Sequence, residues 1–272
     1  MTLTVAHRGY PAQCRENTLA GLDSAADCGA DWVEVDVKLT ADGEPVLLHD
    51  FTLKRLWGLD RHIGSVSLSE LTTATSDPDW QIPPLGAALA WARDRRLPLM
   101  VDIPGRPEGR ATVEMVKAMD CLDWVVFAGD PAAMVDIRAL APQARIAMSW
   151  EIPQLPGREL LAEARPDYFN QLHTLLDARV VEQVHGLGMQ VCAYTVDDTS
   201  RMSELRNMGV DAIISNDIRA LVRTVEEKAR TFGARELWLY TAEAGPFYER
   251  CGWSYQLRKE HPRDNSVMRH EL

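Results

Sequence analysis

The stretch LTVAHRGYPAQCRENTLAGLDSAADCGADWVEVDVKLTADGEPVLLHD, residues 3–50, switches between two periodicities. It opens on a short apolar run, LTVA (3–6), passes into a helix starting near Asn17, and returns to an apolar run, DWVEVDV (31–37). Strand, helix and strand in that order make a βα unit with parallel strands. Ala41-Asp42-Gly43 then breaks the chain where a hairpin needs a positive φ, and PVLLH (45–49) follows as the second arm. Outward from this unit the alternation recurs. LMVDI (99–103), WVVFA (124–128), ARIAMSW (144–150), DYFN (167–170), QVCAYTV (190–196) and DAIIS (211–215) read as strands. Helix-like segments at 85–95, 131–140, 157–164, 177–187, 198–208 and 217–230 separate them. Eight units in about 225 residues predict an α/β fold of the closed (β/α)8 TIM barrel type over residues 1–230. Residues 51–83 read as an irregular insertion over one face, and 231–272 as a small α/β appendage.

The net charge of −11 repels nucleic acid and anionic membrane at long range, so neither is an expected partner. Any anionic substrate must meet positive charge gathered locally, from a metal or a few Arg and Lys side chains. No apolar run reaches the roughly 18 residues a membrane span requires. The opening MTLTVAHRGY lacks a basic segment followed by an apolar one, so no signal peptide is expected. The five cysteines are scattered and lack C-x-x-C spacing, which points to a reducing, cytoplasmic setting without disulfides or a zinc site.

In such a barrel, chemistry sits at the C-terminal ends of the strands. His7 and Arg8 follow the first strand, and His49 and Asp50 end the hairpin arm. Asn170 and His173 lie at and after the sixth strand. Glu34 and Asp36, two residues apart, share one strand face, and Asp102 lies on the next strand. Carboxylates on the inward face of an apolar strand are costly unless paired or metal-bound. Three all-oxygen donors suit a hard cation such as Mg2+ or Ca2+. A structural network with Arg and Lys is the alternative, and position alone leaves both open. Two histidines beside such a cluster have the chemistry for general acid and base work near neutral pH.

Residues 6–58 closely resemble the glycerophosphodiester phosphodiesterase family: HRG, ENT, E-x-D, the T-x-DG turn and HD appear in that family's order. Fainter likeness runs to about residue 225, through HGLGMQVCAYTVDD and GVDAIISND. The resemblance implies His7 and His49 as the acid–base pair, and Glu34, Asp36 and Asp102 as ligands of a divalent metal. It implies Arg8 on the phosphate, with Glu16 as the acidic residue supporting that site. The implied substrate is a small-molecule phosphodiester. A neighbouring hydroxyl attacks phosphorus to give a cyclic phosphate, which water then opens. One departure is clear: Asp102-Ile103-Pro104 replaces the family's Glu-x-Lys, and Arg106 is the candidate to restore the missing charge. Tyr194 stands where the family often has Trp, and Ser215-Asn216 where it often has Thr-Asp.

The tail carries a second resemblance. LWLYTAEAGPFYERCGWSYQ (237–256) and VMRHEL (267–272) look like the last strand–helix–strand of a GNAT-type N-acetyltransferase, without the glycine-bearing turn for the acetyl-CoA pyrophosphate. A structural or interface role is expected. Leu237, Leu239, Phe247, Tyr248 and Trp253 would form an apolar face packed on the barrel's own outer helices or on the same tail of a homodimer, and the unpaired strand edge favours the homodimer.

Overall fold

The computed structural model describes residues 2–73, 81–231, 236–241, 254–257 and 266–271. Its strands are β1 (Leu3–Ala6), β2 (Trp32–Leu39), β3 (Pro45–Leu47), β4 (Leu99–Ile103), β5 (Val125–Gly129), β6 (Arg145–Trp150), β7 (Tyr168–Leu172), β8 (Gln190–Tyr194) and β9 (Ala212–Ser215). All but β3 run parallel in the ring order β1-β2-β4-β5-β6-β7-β8-β9, and β1 pairs with both β9 and β2 to close it. The predicted barrel is therefore present. β3 hangs antiparallel on β2, turned by Gly43 at φ +80°, as the Ala41-Asp42-Gly43 signal predicts.

Strand alternation divides the barrel into layers. Val33, Val35 and Val37 of β2 join the apolar cluster shared with the surrounding helices. The opposite face of the strands fills the barrel interior with Val5, Trp32, Met100, Val126, Ala147, Tyr168 and Ile214. Trp32 and Tyr168 meet edge to face at 5.3 Å. Further along that inward face of β2 come Glu34 and Asp36, so the strand's period of two lifts them onto a plugged floor.

The helices are α1 (Leu19–Asp27), α2 (Lys54–Trp57), α3 (Leu68–Thr73), α4 (Leu85–Arg95), α5 (Arg106–Ala118), α6 (Pro131–Leu140), α7 (Arg158–Ala164), α8 (Ala178–Gly186), α9 (Thr199–Met208) and α10 (Ile218–Thr231). α5 is the one barrel helix that the sequence reading passes over. Its start, Arg106-Pro107-Glu108-Gly109, looks like a loop, yet Pro at a first-turn position costs the helix nothing. Gly109 lets α5 approach α6, since a Cβ there would lie 3.2 Å from that of Ala133. The segment after β3 carries α2, α3 and its own apolar cluster of Val46, Leu48, Leu53, Ile63, Val66, Leu71 and Ile82. Among the described residues, no helix is long and apolar enough to cross a membrane.

Acidic residues at the other end of the barrel serve as clamps. Asp31, Asp167 and Asp211 each precede a strand and accept a backbone N–H from the neighbouring strand, at Thr4 (2.7 Å), Ile146 (2.8 Å) and Val191 (2.8 Å). Arg138 of α6 is almost buried and uses all its donors. Nε–H donates to Ala164 O, Nη1 to Pro142 O and Ala144 O, and Nη2 to Arg165 O and Asp167 Oδ2. Arg138→Met should lower unfolding free energy by about 3–4 kcal/mol, because four carbonyls lose their donor in one step. Arg138→Lys should recover little of this, since an ammonium has three donors and no fork. Chemical denaturation measures both, and a loss under about 1 kcal/mol would show that water replaces the guanidinium.

In the tail, β10 (Glu236–Thr241) pairs antiparallel with β12 (Ser266–Glu271), which also pairs with β11 (Ser254–Leu257). The strand expected to offer an open edge to a second chain has β12 on one side and is an edge strand of its sheet on the other. The edge argument moves to the outer rims of a three-stranded sheet. Phe247, Tyr248 and Trp253 lie outside the described residues, and the apolar face expected of them and of Leu237 and Leu239 is not described.

Candidate active site

The C-terminal ends of the strands open into a cavity of about 860 Å3. His7, Arg8, Glu34, Asp36, His49 and Asp102 all line it. So does Asn170, whereas Glu16 and His173 do not. The fold thus brings these lining residues, drawn from five segments of the chain, to one cavity.

The turn after β1 explains the HRG and ENT patterns physically. Arg8 and Gly9 both take positive φ, +56° and +86°. Gly9 is required there twice over, because a Cβ would also sit 2.7 Å from the Gly21 carbonyl carbon. This turn aims the Arg8 backbone N–H at Glu34 Oε2 (2.9 Å) and brings Arg8 Nε to 3.2 Å from Asp36 Oδ2, a charge contact without hydrogen-bond alignment. Asn17, also at φ +56°, clamps Asp36 from both sides: its Nδ2 donates to Oδ2 (2.8 Å), and its Oδ1 accepts the Asp36 N–H (3.0 Å). Thr18 caps α1.

Glu16 supports the cavity from behind. It accepts from Arg8 Nη1 (3.1 Å) and from both terminal nitrogens of Arg55 (2.6 and 3.1 Å). Burial alone would raise its pKa, but Arg55 and Arg8 outweigh this and hold it below the usual value. Arg55 also grips Asp50 through Nε (2.6 Å), and Asp50 accepts from His49 Nδ1 (2.7 Å). Hydrogen bonding to Arg55, first among the causes, takes the Asp50 carboxyl down to about 2. α2 is thereby tied to His49 on one side and Arg8 on the other. Arg55 is a residue the sequence reading missed, since nothing local marks an insertion arginine as part of a site.

His7 has a different support. Its Nδ1 lies 2.7 Å from Asn216 Oδ1, and Asn216 Nδ2 donates to Asp197 Oδ2 (2.8 Å). The Asn216 backbone N–H and Ser215 Oγ donate to Asp197 Oδ1 (2.9 and 3.1 Å). Asp197 is an acceptor only, so the Asn216 amide must turn its nitrogen there and its oxygen to His7. His7 Nδ1 must then carry the proton, which leaves Nε2 with a free lone pair. Burial, aided by Arg8, lowers the His7 pKa below its ordinary value.

Glu34 and Asp36, both buried, and Asp102, half-buried, form an acid group, with Asp36 and Asp102 paired across β2 and β4. Burial first, then Asp36 and Asp102, pushes Glu34 well above the usual carboxylate range. Burial first, then Asp36, pushes Asp102 up to about 6. Three oxygen donors whose charges resist one another fit a hard divalent cation by their chemistry. Among the described residues, no group of three or more His, Cys, Asp or Glu side chains is already gathered so that it could hold a metal ion. Asn17 and the two Arg8 contacts hold Asp36 Oδ2 and Glu34 Oε2 in place.

The missing lysine also resolves differently from expectation. Arg106 does not line the cavity; it pairs with Asp136 of α6 at 3.1 Å. Lys38, buried two residues beyond Asp36, is a cation whose charge is felt by Asp102, though it too does not line the cavity. The i, i+2, i+4 series Glu34, Asp36, Lys38 was the available signal. Pro104 itself lines the cavity.

The model of the glycerophosphoryl diester phosphodiesterase family matches residues 7–220. A glycerophosphodiester phosphodiesterase of Caldanaerobacter subterraneus subsp. tengcongensis is 26% identical over 246 residues, covering 83% of this chain and 98% of that protein. A solved Oleispira antarctica phosphodiesterase, in complex with the product sn-glycerol-3-phosphate, is 28% identical with a TM-score of 0.73, over 83% of this chain and 97% of that one. A Thermotoga maritima glycerophosphodiester phosphodiesterase superposes with a TM-score of 0.70 at 25% identity, over 82% and 98% of the two chains. The protein is a phosphoric diester hydrolase built on a (β/α)8 barrel. It belongs to the glycerophosphoryl diester phosphodiesterase family.

Proposed function

We propose that the chain hydrolyses a small glycerophosphodiester to an alcohol and glycerol 3-phosphate, with His7 as base and His49 as acid. The carrying observation is that both histidines enter one cavity with Arg8 and the acid group, each anchored through Nδ1 so that Nε2 remains for chemistry. Their partners differ. The neutral amide of Asn216 leaves His7 suited to accept a proton. The Asp50 carboxylate balances a positive charge on the His49 ring. His7 Nε2 takes the proton of the attacking hydroxyl as its oxygen bonds to phosphorus. His49 gives a proton to the departing alcohol oxygen as the other P–O bond breaks, and water then opens the cyclic phosphate with the roles reversed. Arg8 neutralises phosphoryl oxygens. Glu34, Asp36 and Asp102 would hold a divalent cation, Mg2+ or Ca2+, which supplies positive charge to the phosphoryl group when bound. Glu16 positions Arg8 and Arg55. The product bound by the Oleispira relative supports glycerol 3-phosphate as one half of the outcome. Release of glycerol 3-phosphate from glycerophosphodiesters, with and without chelator, tests the reading.

Asn216 and Asp197 act here as positioning residues. Asp197→Asn frees the Asn216 amide to turn over, and His7 then populates the other tautomer. The expected result is a fall in kcat of roughly 10–100-fold with KM little changed, the cost of a misdirected base. The 15N shifts of the His7 ring should report the mixed tautomer. Unchanged shifts and kcat would remove Asp197 from the mechanism.

A further inference from the structure

His49 and Arg8 come from different segments of the chain, yet one side chain joins them. Arg55 of α2 serves two carboxylates at once. Its Nε and Nη2 donate to Asp50 Oδ2 and Oδ1 (2.6 and 3.1 Å), and its Nη2 and Nη1 donate to Glu16 Oε1 and Oε2 (2.6 and 3.1 Å). Beyond each carboxylate lies a group of the cavity. Asp50 Oδ1 also meets His49 Nδ1 (2.7 Å), and Glu16 Oε1 also accepts from Arg8 Nη1 (3.1 Å). Two edges of one planar guanidinium thus reach both cavity residues, each through a carboxylate.

α2 has only four residues and no side-chain cap, so it cannot hold Arg55 by itself. It is gripped from two sides. Leu53, 1% exposed, and the partly buried Trp57 sit in the apolar cluster of the segment after β3. Arg15 lays its guanidinium over the Trp57 ring at 4.4 Å and donates to Leu56 O. Arg15 and Glu16 are consecutive in the loop between β1 and α1, so that loop grips α2 at two successive residues. Exposure shows what the brace supplies. The His49 and Asp50 side chains are 44% and 24% exposed, and so wet a pair holds a ring loosely. A bidentate arginine fixes the carboxylate from its other side, and with it the His49 Nδ1 contact. Without Arg55, Asp50 is free to follow solvent. The Glu16 charge then falls on Arg8 alone and competes with a phosphate for that guanidinium.

We propose that Arg55 is a positioning residue that fixes the proton donor His49 and the phosphate ligand Arg8 together, which makes α2 part of the catalytic frame. The proposal rests on the roles given to His49 and Arg8 in the phosphodiesterase reading above. Arg55 touches no substrate and acts through Asp50 and Glu16.

Arg55→Met should lower kcat on an unactivated glycerophosphodiester roughly 10–100-fold, part of what the loss of a positioned acid costs. With a p-nitrophenyl leaving group, which departs without protonation, the fall should shrink to under about threefold. A rise in KM of about 3–10-fold, the scale of one weakened charge-assisted hydrogen bond, should persist on both substrates. Arg55→Lys should recover little of either effect, because an ammonium has no fork with which to bridge two carboxylates. Arg61→Met is the control. Arg61 lies in the same segment but donates to Glu70 Oε1 and Ser65 O, so its loss should leave the kcat ratio between the two substrates unchanged. Both Arg55 variants should fold, since that side chain is 46% exposed. Two measurements need no turnover. Calorimetric binding of glycerol 3-phosphate should weaken by the same factor of about 3–10 in Arg55→Met, and the 15N resonance of His49 Nδ1 should shift. A loss of kcat that ignores the leaving group, full rescue by Arg55→Lys, or the same change of ratio in Arg61→Met would overturn the proposal. A wild type that hydrolyses neither substrate overturns the phosphodiesterase reading instead. Binding and resonance then decide alone: an unchanged dissociation constant with an unmoved His49 signal sinks the link through Arg55.

Discussion

His7→Ala should lower kcat on an unactivated glycerophosphodiester by roughly 10²–10⁴-fold, the usual scale for a positioned proton-transfer group. As the proposed base, His7 takes the proton of the attacking hydroxyl, so its loss should be felt whatever the leaving group. His49→Ala should cost a similar factor on the same substrate, but much of that loss should vanish with a p-nitrophenyl leaving group, which departs without protonation. The contrast follows from the partners: Asn216 behind His7, and Asp50 with Arg55 behind His49. Both variants should fold, because the side chains sit at the barrel mouth and not in the layer of Trp32, Met100 and Tyr168. Circular dichroism checks the fold, and steady-state rates on the two substrate types check the assignment. If the activated leaving group rescues His7→Ala and not His49→Ala, the roles are exchanged.

Chelation should abolish turnover, and added Mg2+ or Ca2+ should raise the melting temperature in a pH-dependent way. Folding raises the Asp102 carboxyl from 3.8 to about 6, and burial pushes Glu34 in the same direction. Such groups hold their protons more tightly in the folded chain than in the unfolded one. In the metal-free protein their contribution to stability is fully present below about pH 4 and is lost as pH rises through about 6. A divalent cation binds the ionised carboxylates, so its stabilisation should grow over that same interval. At a concentration about 100 times Kd the gain is roughly 2.7 kcal/mol, on the order of 5–10 °C for a chain of this size. Differential scanning calorimetry at pH 5 and pH 7.5, with and without the ion, measures it. Asp36→Ala should abolish the shift. An equal shift at both pH values, or one that survives in Asp36→Ala, would place the ion elsewhere.

Much of this protein is written locally. The period-two pattern of Trp32–Leu39 fixes Glu34 and Asp36 on the face opposite the valines, because successive side chains in a strand point to opposite sides. Alternating strands and helices then leave a closed parallel ring as the arrangement that buries both strand faces. The positive-φ turn at Arg8-Gly9 and the cap at Thr18 are local as well, which is why HRG and ENT are readable as motifs. What the sequence could not decide is set by contacts between distant segments. Asn216 is 209 residues from the His7 it directs, and Arg55 is 39 from Glu16. Arg106 lies near Asp102 in the chain but turns outward to Asp136 as the first residue of α5. The facing wall with Asn170 and Tyr194 exists only because closure brings β7 and β8 opposite β2 and β4. Strand periodicity determines which way a side chain points. The closed ring determines what it points at, because that depends on which strand ends share the mouth.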